Sequence, residues 1–481
     1  MAISIGIIGA GISGLTIAYR LKRLLKGAGI EYDLDIYERT KRLGGSIGSE
    51  RISGFLVEWG PNGFLNNEPA TFDLIHQLGL RDRLVASSDA ARKRYLNINR
   101  KLHQIPLSPS EFLKTPIVPF QSKIRFALEP LMPRRTDGRD ESVAEFVARR
   151  FGKKAVERMF DPLISGVYAG NVNTLSINST LKVFAELERE YGSVVKGMIA
   201  RVKQRKAEER SGEAREKVDE LLTTSKNPMS GKLLSFQNGM DELVEELGVH
   251  LEDHLQMGVH LEAIRRTKDG YELTGQNSEG PMCRRHDVLV LASPPQSAAA
   301  LVNSLDSDLA KILREIMSST IAVLALGFQE SGIAHPLDGF GYLIPRNQNV
   351  RSLGVLWSSS IFPNRAPGGH KLLQIMIGGA HDPGAVDEDD QKLVETAIKD
   401  ADPVLGFKAN PIMTRVIRHR CGIPQYTLGH QARLEAITQC LEKLPGFYLA
   451  GNGYHGISSN DCIRCTGDLA HKIVNVHAGM R

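Results

Sequence analysis

Residues 3–25 read ISIGIIGAGISGLTIAYRLKRLL: a short β-branched apolar run, a glycine turn, then apolar residues at helical spacing. The turn places Gly9, Gly11 and Gly14 in a G-x-G-x-x-G pattern, with Ala10, Ile12 and Ser13 between them. Gly9 permits the tight turn, Gly11 lets a pyrophosphate approach the backbone, and Gly14 allows helix to pack closely on strand. The phosphates then meet the free N–H groups and the dipole of a helix N-terminus. A second strand, YDLDIYE (32–38), ends in Glu38, where a carboxylate accepts ribose hydroxyls and repels the 2′-phosphate of NADP. The expectation is a dinucleotide-binding β-α-β unit of the α/β, Rossmann-like class.

The composition sets the bounds around that unit. At 481 residues the chain exceeds one ordinary core, and two or three domains are expected. With 42% hydrophobic and 24% charged residues it reads as ordered and globular. Five cysteines do not make a disulfide framework and fit a reducing, intracellular compartment. No run of about 18 apolar residues occurs, so no membrane-spanning helix is expected. The net charge of +5 is uneven, with 18 Lys+Arg against 9 Asp+Glu between Arg81 and Arg158. Such a segment suits an acidic partner (lipid headgroups, a polycarboxylate ligand or nucleic acid) or is simply a solvated basic surface.

Beyond Glu38 the chain continues RTKRLGG (39–45), with Arg39, Arg42, Gly44 and Gly45, followed by Ser46. This Arg-x-Gly-Gly resembles the second fingerprint of the FAD-dependent oxidases that include amine oxidases and phytoene desaturases. It adds a basic side chain and bare backbone beside the pyrophosphate. The turn-rich loop EWGPNGF (58–64) supplies Gly60, Pro61, Asn62 and Gly63, suited to lie beside a flavin ring. FAD, bound non-covalently, is the expected cofactor. VHLEAIRRT (259–267, with Leu261 on the cofactor side), YELTG (271–275), HDVLVLASPP (286–295) and GFYLAGN (446–452) are expected to extend the nucleotide sheet.

The division that follows has a discontinuous FAD-binding domain of residues 1–66, 230–293 and 440–481. A mixed α+β substrate-binding domain takes 67–90, 191–229 and 294–439, and a helical basic lobe takes 91–190. DESVAEFVARRFGKKAVERMF (140–160) begins with a helix-start signal and continues at helical spacing. LSPSEFLKTPIVPFQSKIRFALEPLMPRR (107–135) mixes prolines, apolar residues and cations, as would a monotopic membrane surface or an irregular capping lobe. Arg201 to Lys226 reads as an exposed helix or mobile loop. IAVLALGF, GFGYLIP, SLGVLW and KLLQIMIGG are expected to form a mixed sheet under the substrate.

ISGVYAGNVNTLSI (164–177), GFGYLIP (339–345), GIPQYTLGH (422–430) and GISSNDCI (456–463) together resemble the oxygen-dependent protoporphyrinogen oxidase family. The resemblance implies removal of six hydrogens from a porphyrinogen in three two-electron steps, in haem biosynthesis. FAD takes hydride from a meso carbon, and oxygen reoxidises the flavin to give hydrogen peroxide. The matching positions imply a substrate site of Gly166, Val167, Phe340, Gly341, Leu343 and Met376, with Arg94 holding a propionate. A planar, permanently charged guanidinium suits a carboxylate, although Arg92 and Lys93 adjoin it. No side chain is assigned as acid or base. His419 and Arg418 stand where relatives often carry an aromatic.

The family further implies a homodimer peripheral to a membrane. With no transit segment ahead of the first strand, a bacterial cytoplasm and the inner face of its membrane are the expected location, without nucleic acid. Competing readings are a coproporphyrinogen oxidase, which accepts four carboxylates and lacks the arginine, or another FAD oxidase or desaturase. A flavin-free carrier of lipidated protein is the non-enzymatic alternative. The terminal stretch LAGNGYHGISSNDCIRC (449–465) is expected to close the cofactor site through Gly451, Gly456, Ile457 and Ser458. Cys462 and Cys465 fall one helical turn apart with no second such pair, so no metal is expected.

Overall fold

In the computed structural model, which describes residues 2–211 and 232–478, Ile3–Ile8 is the central strand of a five-stranded parallel sheet. Its neighbours are Tyr32–Glu38 and then Leu255–Met257 on one side, and Val288–Leu291 and then Phe447–Leu449 on the other. The four residues Val288–Leu291 are all buried, as expected of a strand covered on both faces. One face packs on helices Ile12–Gly27, Asp241–His250 and Ser459–Ala478, through Leu15, Ala18, Leu243, Leu247, Ile463 and Ala470. The other packs on Pro295–Val302, Ser307–Glu315 and His430–Glu442. The chain thus returns twice from other units to finish a sheet it began at residue 3.

The expected sheet extension by 259–275 is corrected. Leu255–Met257, just upstream, takes the edge beside Tyr32–Glu38. His260–Thr267, Gly270–Asn277 and Gly280–His286 pair with one another as a separate antiparallel sheet. Two-residue connections leading into Gly270 (φ +150°) and Gly280 (φ +124°) make pairing with the adjacent strand the shortest route.

The second large sheet has seven strands, in the order Met413–Pro424, Ser318–Gln329, His370–Gly378, Ser352–Leu356, Gly341–Leu343, Arg94–Ile98 and Lys101–Gln104. All pairings are antiparallel except that of Gly341–Leu343 with Arg94–Ile98, so the sheet is mixed. The hairpin Arg94–Gln104 belongs to this sheet, and the lobe drawn from residue 91 begins after it. Met413–Pro424 was not foreseen, because Arg415, Arg418 and Arg420 interrupt its apolar pattern. Each has an ion-pair partner: Glu50 (2.6 Å), Asp390 (2.5 Å) and Asp387 (2.6 Å). One face of the sheet is sealed by helix Asp390–Leu405, with Leu393, Ala397 and Ala401 against Leu324, Ile375 and Val355.

The helical lobe has a core of its own. Helix Val143–Phe151 starts with a capping box of Ser142 and Glu145. Phe146, Val147, Phe151, Phe160 and Ile164 form its core. Arg150, fully buried, pairs with Glu129 (3.3 Å) and Glu188 (2.7 Å). Glu129 also accepts the backbone N–H groups of Val194 (3.0 Å) and Val195 (3.2 Å), where the next helix begins. The charged stretch from Arg201 continues that helix to Ser211, and the rest of it, to Lys226, lies outside the described residues. Among the described residues no helix is long and apolar enough to cross a membrane.

Candidate active site

The nucleotide cradle is built from main chain. Gly9 has φ +106°, and a Cβ on Gly14 would lie 1.9 Å from the Gly9 carbonyl oxygen. Gly11 caps helix Ile12–Gly27 with no side chain, and a Cβ there would meet nothing within 4 Å. Helix N–H groups therefore open onto free space, the arrangement a pyrophosphate requires. The Arg-x-Gly-Gly loop docks on this turn. The Gly44 N–H donates to the Ala10 carbonyl (2.8 Å), and a Cβ on Gly45 would sit 3.5 Å from the Gly11 Cα. Gly45 and Ser46 are exposed beside the cradle.

Arg42 is turned inward. It donates to the carbonyls of Leu43 (2.7 Å), Ile47 (2.6 Å) and Gly45 and stacks over Trp59 at 4.5 Å. Its part is to hold the loop's shape and supply positive charge. Arg39 is exposed at the end of its strand. Glu38 Oε1 accepts from the Thr40 backbone N–H (2.9 Å) and hydroxyl (2.9 Å), while Oε2 accepts from the Ala10 N–H (3.0 Å) and keeps a lone pair for a ribose hydroxyl. Leu261 follows a segment whose Val259 N–H donates to the Glu38 carbonyl (2.9 Å), on the same side of the sheet end.

An orphaned group tests whether FAD fits here. The buried Ser293 Oγ has no partner among the described residues, and the Ser293 backbone borders the space beside Gly9. Ser293 was not foreseen, although it stands two residues beyond a parallel strand, where open α/β sheets bind ligands. The EWGPNGF loop is equally constrained: a Cβ on Gly60 would meet the Ser46 oxygen at 2.5 Å, and one on Gly63 the Leu234 oxygen at 2.3 Å. The glycines, the Glu38 carboxylate, the open helix end and the unpartnered hydroxyl all fit the cofactor.

The face of the seven-stranded sheet away from helix Asp390–Leu405 is covered at one end by Phe55 and Val57, which pack on Val323, Leu372 and Ile417, and its remaining part beside this loop is the candidate slot. Arg94 pairs in register with Gly341, Leu343 with Gly354, and Gly354 with Met376, so these residues share one face across four strands. From the lobe, Gly166 closes on Leu343: a Cβ on Gly166 would lie 2.3 Å from Leu343 Cδ2. Val167 beside it is exposed. Asn62 Nδ2 donates to Gln374 Oε1 (2.6 Å), and Gln374 Nε2 donates to the Glu58 carbonyl (2.7 Å). Gln374, two residues before Met376, thus ties loop to sheet, a link the sequence did not announce. His419, on the same face, hydrogen-bonds the Trp59 carbonyl (2.7 Å), whereas Arg418 points to the Val386 and Glu388 carbonyls.

The three consecutive cations have different fates. Lys93 pairs with Asp338 (2.8 Å), and Arg92 lies 3.7 Å from Asp89. Arg94 has no carboxylate within ion-pair distance among the described residues and lies over the Phe340 ring at 4.9 Å. Its side chain remains accessible while the surrounding protein desolvates it and lowers its pKa. Beneath the slot, Glu58 and Arg365 form a buried pair at 2.9 Å. Burial pushes the Glu58 carboxyl up, against the pull of Arg365.

The terminal stretch runs along the strand ends. Gly451 (φ +122°) follows Phe447–Leu449, and Gly456 (φ +129°) leads through Ile457 and Ser458 into helix Ser459–Ala478. Asp461 accepts from the Ser458 hydroxyl (2.5 Å) and N–H (3.3 Å). Cys462 is buried, and desolvation pushes its thiol up to about 11.

The sequence profile of the family described as flavin containing amine oxidoreductase matches residues 12–464. The chain is 29% identical over 467 residues to coproporphyrinogen III oxidase of Bacillus subtilis (strain 168), covering 95% of each chain. It is 31% identical over 481 residues to the chloroplastic protoporphyrinogen oxidase of Oryza sativa subsp. japonica, covering 97% of this chain and 87% of that one. A crystal structure from Exiguobacterium sp. 255-15, provisionally called a protoporphyrinogen oxidase, superposes with a TM-score of 0.81 at 25% identity, covering 98% and 99% of the two chains. Reduced UDP-galactopyranose mutase shares the fold at a TM-score of 0.72 and 16% identity, covering 99% and 94%.

Proposed function

This chain belongs to the flavin-containing amine oxidoreductase family, and on that premise we propose that it oxidises protoporphyrinogen IX to protoporphyrin IX in haem biosynthesis. It is a flavoenzyme with FAD as cofactor. The observation that carries the substrate reading is Arg94: an accessible arginine without a carboxylate partner among the described residues, stacked on Phe340 at the end of an apolar sheet face. A flat apolar macrocycle with two propionates needs such a surface. Relatives of near-full-length similarity bear the names of porphyrinogen oxidases.

When bound, FAD supplies the two-electron acceptor for each of three oxidations and passes the electrons to oxygen. The chain's own residues bind, orient and exclude water. Gly9, Gly11, Gly14 and Glu38 hold the nucleotide, and Asn62, anchored by Gln374, fixes the loop between the cradle and the slot. Phe340, Gly341, Leu343 and Met376 form one wall, Gly166 and Val167 the facing one, and Arg94 sets the register of the ring through a carboxylate. No aspartate or glutamate lies among the residues named for the slot, so their contribution is orientation more than proton transfer.

The second reading, oxidation of coproporphyrinogen III, is favoured by the similarity to the Bacillus subtilis enzyme. Steady-state oxidation of both porphyrinogens in air, with peroxide measured, separates the two. We expect the higher kcat/KM with protoporphyrinogen IX and one peroxide per two-electron step. A higher value with the tetracarboxylate would transfer the assignment.

The reading also includes a homodimer working at a membrane surface. Support for the surface comes from helix Phe120–Leu128, where Phe120, Ile124 and Leu128 form one exposed stripe, with Leu113 and Leu131 exposed nearby. Binding to anionic vesicles that Phe120→Glu abolishes is the expected result, and an unaffected variant would remove this part. Sedimentation velocity tests the dimer.

A further inference from the structure

The segment GIPQYTLGH contains a residue that reaches both halves of the site. We infer that Tyr426 is a positioning residue, its phenol holding the Gly451–Ser458 turn in the shape that receives the flavin. The phenol accepts the Gly456 N–H (2.9 Å) and donates to the Asn452 carbonyl, so one oxygen bridges both ends of the turn. The other side of the turn is held by Asp461 through Ser458. Gly456 at φ +129° cannot hold this geometry through its own side chain, and a Cβ there would strike Asp461 Cγ at 2.3 Å.

The ring itself is fixed. Tyr426 is buried and stacks on His430 with centroids 4.2 Å apart and planes 19° from parallel. His430 hydrogen-bonds the Tyr454 carbonyl, a further point of contact with the turn (3.2 Å). Burial raises the phenol's pKa, so it stays a donor throughout the working range. Meanwhile the Tyr426 carbonyl accepts the Ser176 N–H (2.8 Å), and Gln425 Nε2 donates to the Tyr168 carbonyl (2.8 Å). Tyr168 directly follows Val167 of the slot. One dipeptide therefore sets the cofactor turn with a side chain and the lobe wall with its backbone and neighbour.

This inference rests on the flavin site and not on the choice of porphyrinogen, and its test is read without substrate. Tyr426→Phe leaves the ring and removes the bridge. FAD affinity of the apo-protein, followed by flavin fluorescence, is expected to weaken about tenfold because the half-buried turn, without its bridge, is no longer held ready for the cofactor. The apo-protein's melting temperature should change little, and Tyr271→Phe, whose hydroxyl bonds the Pro445 carbonyl at the other end of strand Phe447–Leu449, should keep wild-type affinity. Affinity of Tyr426→Phe within twofold of wild type would overturn the inference, whatever the melting temperature. If the variant does not fold, hydrogen exchange of the wild-type apo-protein decides. Protection of the Gly456 amide before FAD arrives is expected, and free exchange there overturns the inference.

Discussion

The nucleotide cradle is made of main chain, and the slot beside it of side chains drawn from four strands and a helix. In the cradle each glycine is fixed by a backbone atom less than 4 Å away or by open space that a ligand must fill. In the slot, Arg94, Leu343 and Met376 are placed only by strand register. A cradle of this kind tolerates almost no substitution at its turns. A slot of this kind can change its ligand one side chain at a time on an unchanged fold.

The largest effect is expected where the two regions are joined. Glu58 ends the hairpin of strands Ser49–Ile52 and Phe55–Glu58 that follows the Arg-x-Gly-Gly loop, Arg365 follows strand Ser352–Leu356 of the seven-stranded sheet, and both are buried. Arg365→Ala leaves a carboxylate without its cation and should cost about 3–5 kcal/mol in denaturant unfolding. A loss below about 1 kcal/mol would mean that the regions are held together elsewhere. Gly14→Ala should come next, at about 3 kcal/mol with loss of bound flavin, because its methyl overlaps the Gly9 oxygen. Retention of the yellow colour would contradict a cradle made of backbone.

His430 sharpens the comparison by pH. Burial lowers its pKa to about 4, so the unfolded chain binds this proton more readily. Stability is therefore full above about pH 6.5 and falls by an amount on the order of 3 kcal/mol as pH drops toward 4. His430→Gln should flatten that part of the melting profile, and an unchanged slope would show that other groups govern it.

The slot responds differently. Arg94→Met should raise KM for the porphyrinogen about thirtyfold while leaving flavin content and melting temperature near wild type. A lost flavin would place Arg94 in the wrong region. The smallest effect belongs to Lys93→Ala and Arg92→Ala, whose charges face Asp338 and Asp89 at the surface; KM within about twofold of wild type is expected.

This contrast also governs what could be read from the chain. Gly9, Gly11, Gly14 and Glu38 are legible because backbone chemistry demands those residue types at that spacing. Gly44 and Gly45 follow from the same logic, but the inward turn of Arg42 does not: its three carbonyl partners exist only once the loop is folded. The slot was legible through family resemblance alone, since Leu343 and Met376 look like any apolar strand residue. Which of Arg92, Lys93 and Arg94 stands free is decided by Asp89 and Asp338, the latter distant in sequence. The strand Met413–Pro424 was hidden by arginines whose partners come from other elements. Gln374 and Tyr426 act through tertiary contacts that no local pattern encodes.

The central claim is that cradle and slot serve one reaction, and anaerobic mixing tests it most directly. Purified flavin-loaded protein is combined with protoporphyrinogen IX, then separately with primary amines and a carotenoid precursor, while the visible flavin absorbance is followed. Bleaching by the porphyrinogen alone, slowed at low substrate by Arg94→Met, is the predicted result. A flavin that the porphyrinogen leaves oxidised, or that an amine reduces instead, would contradict the account.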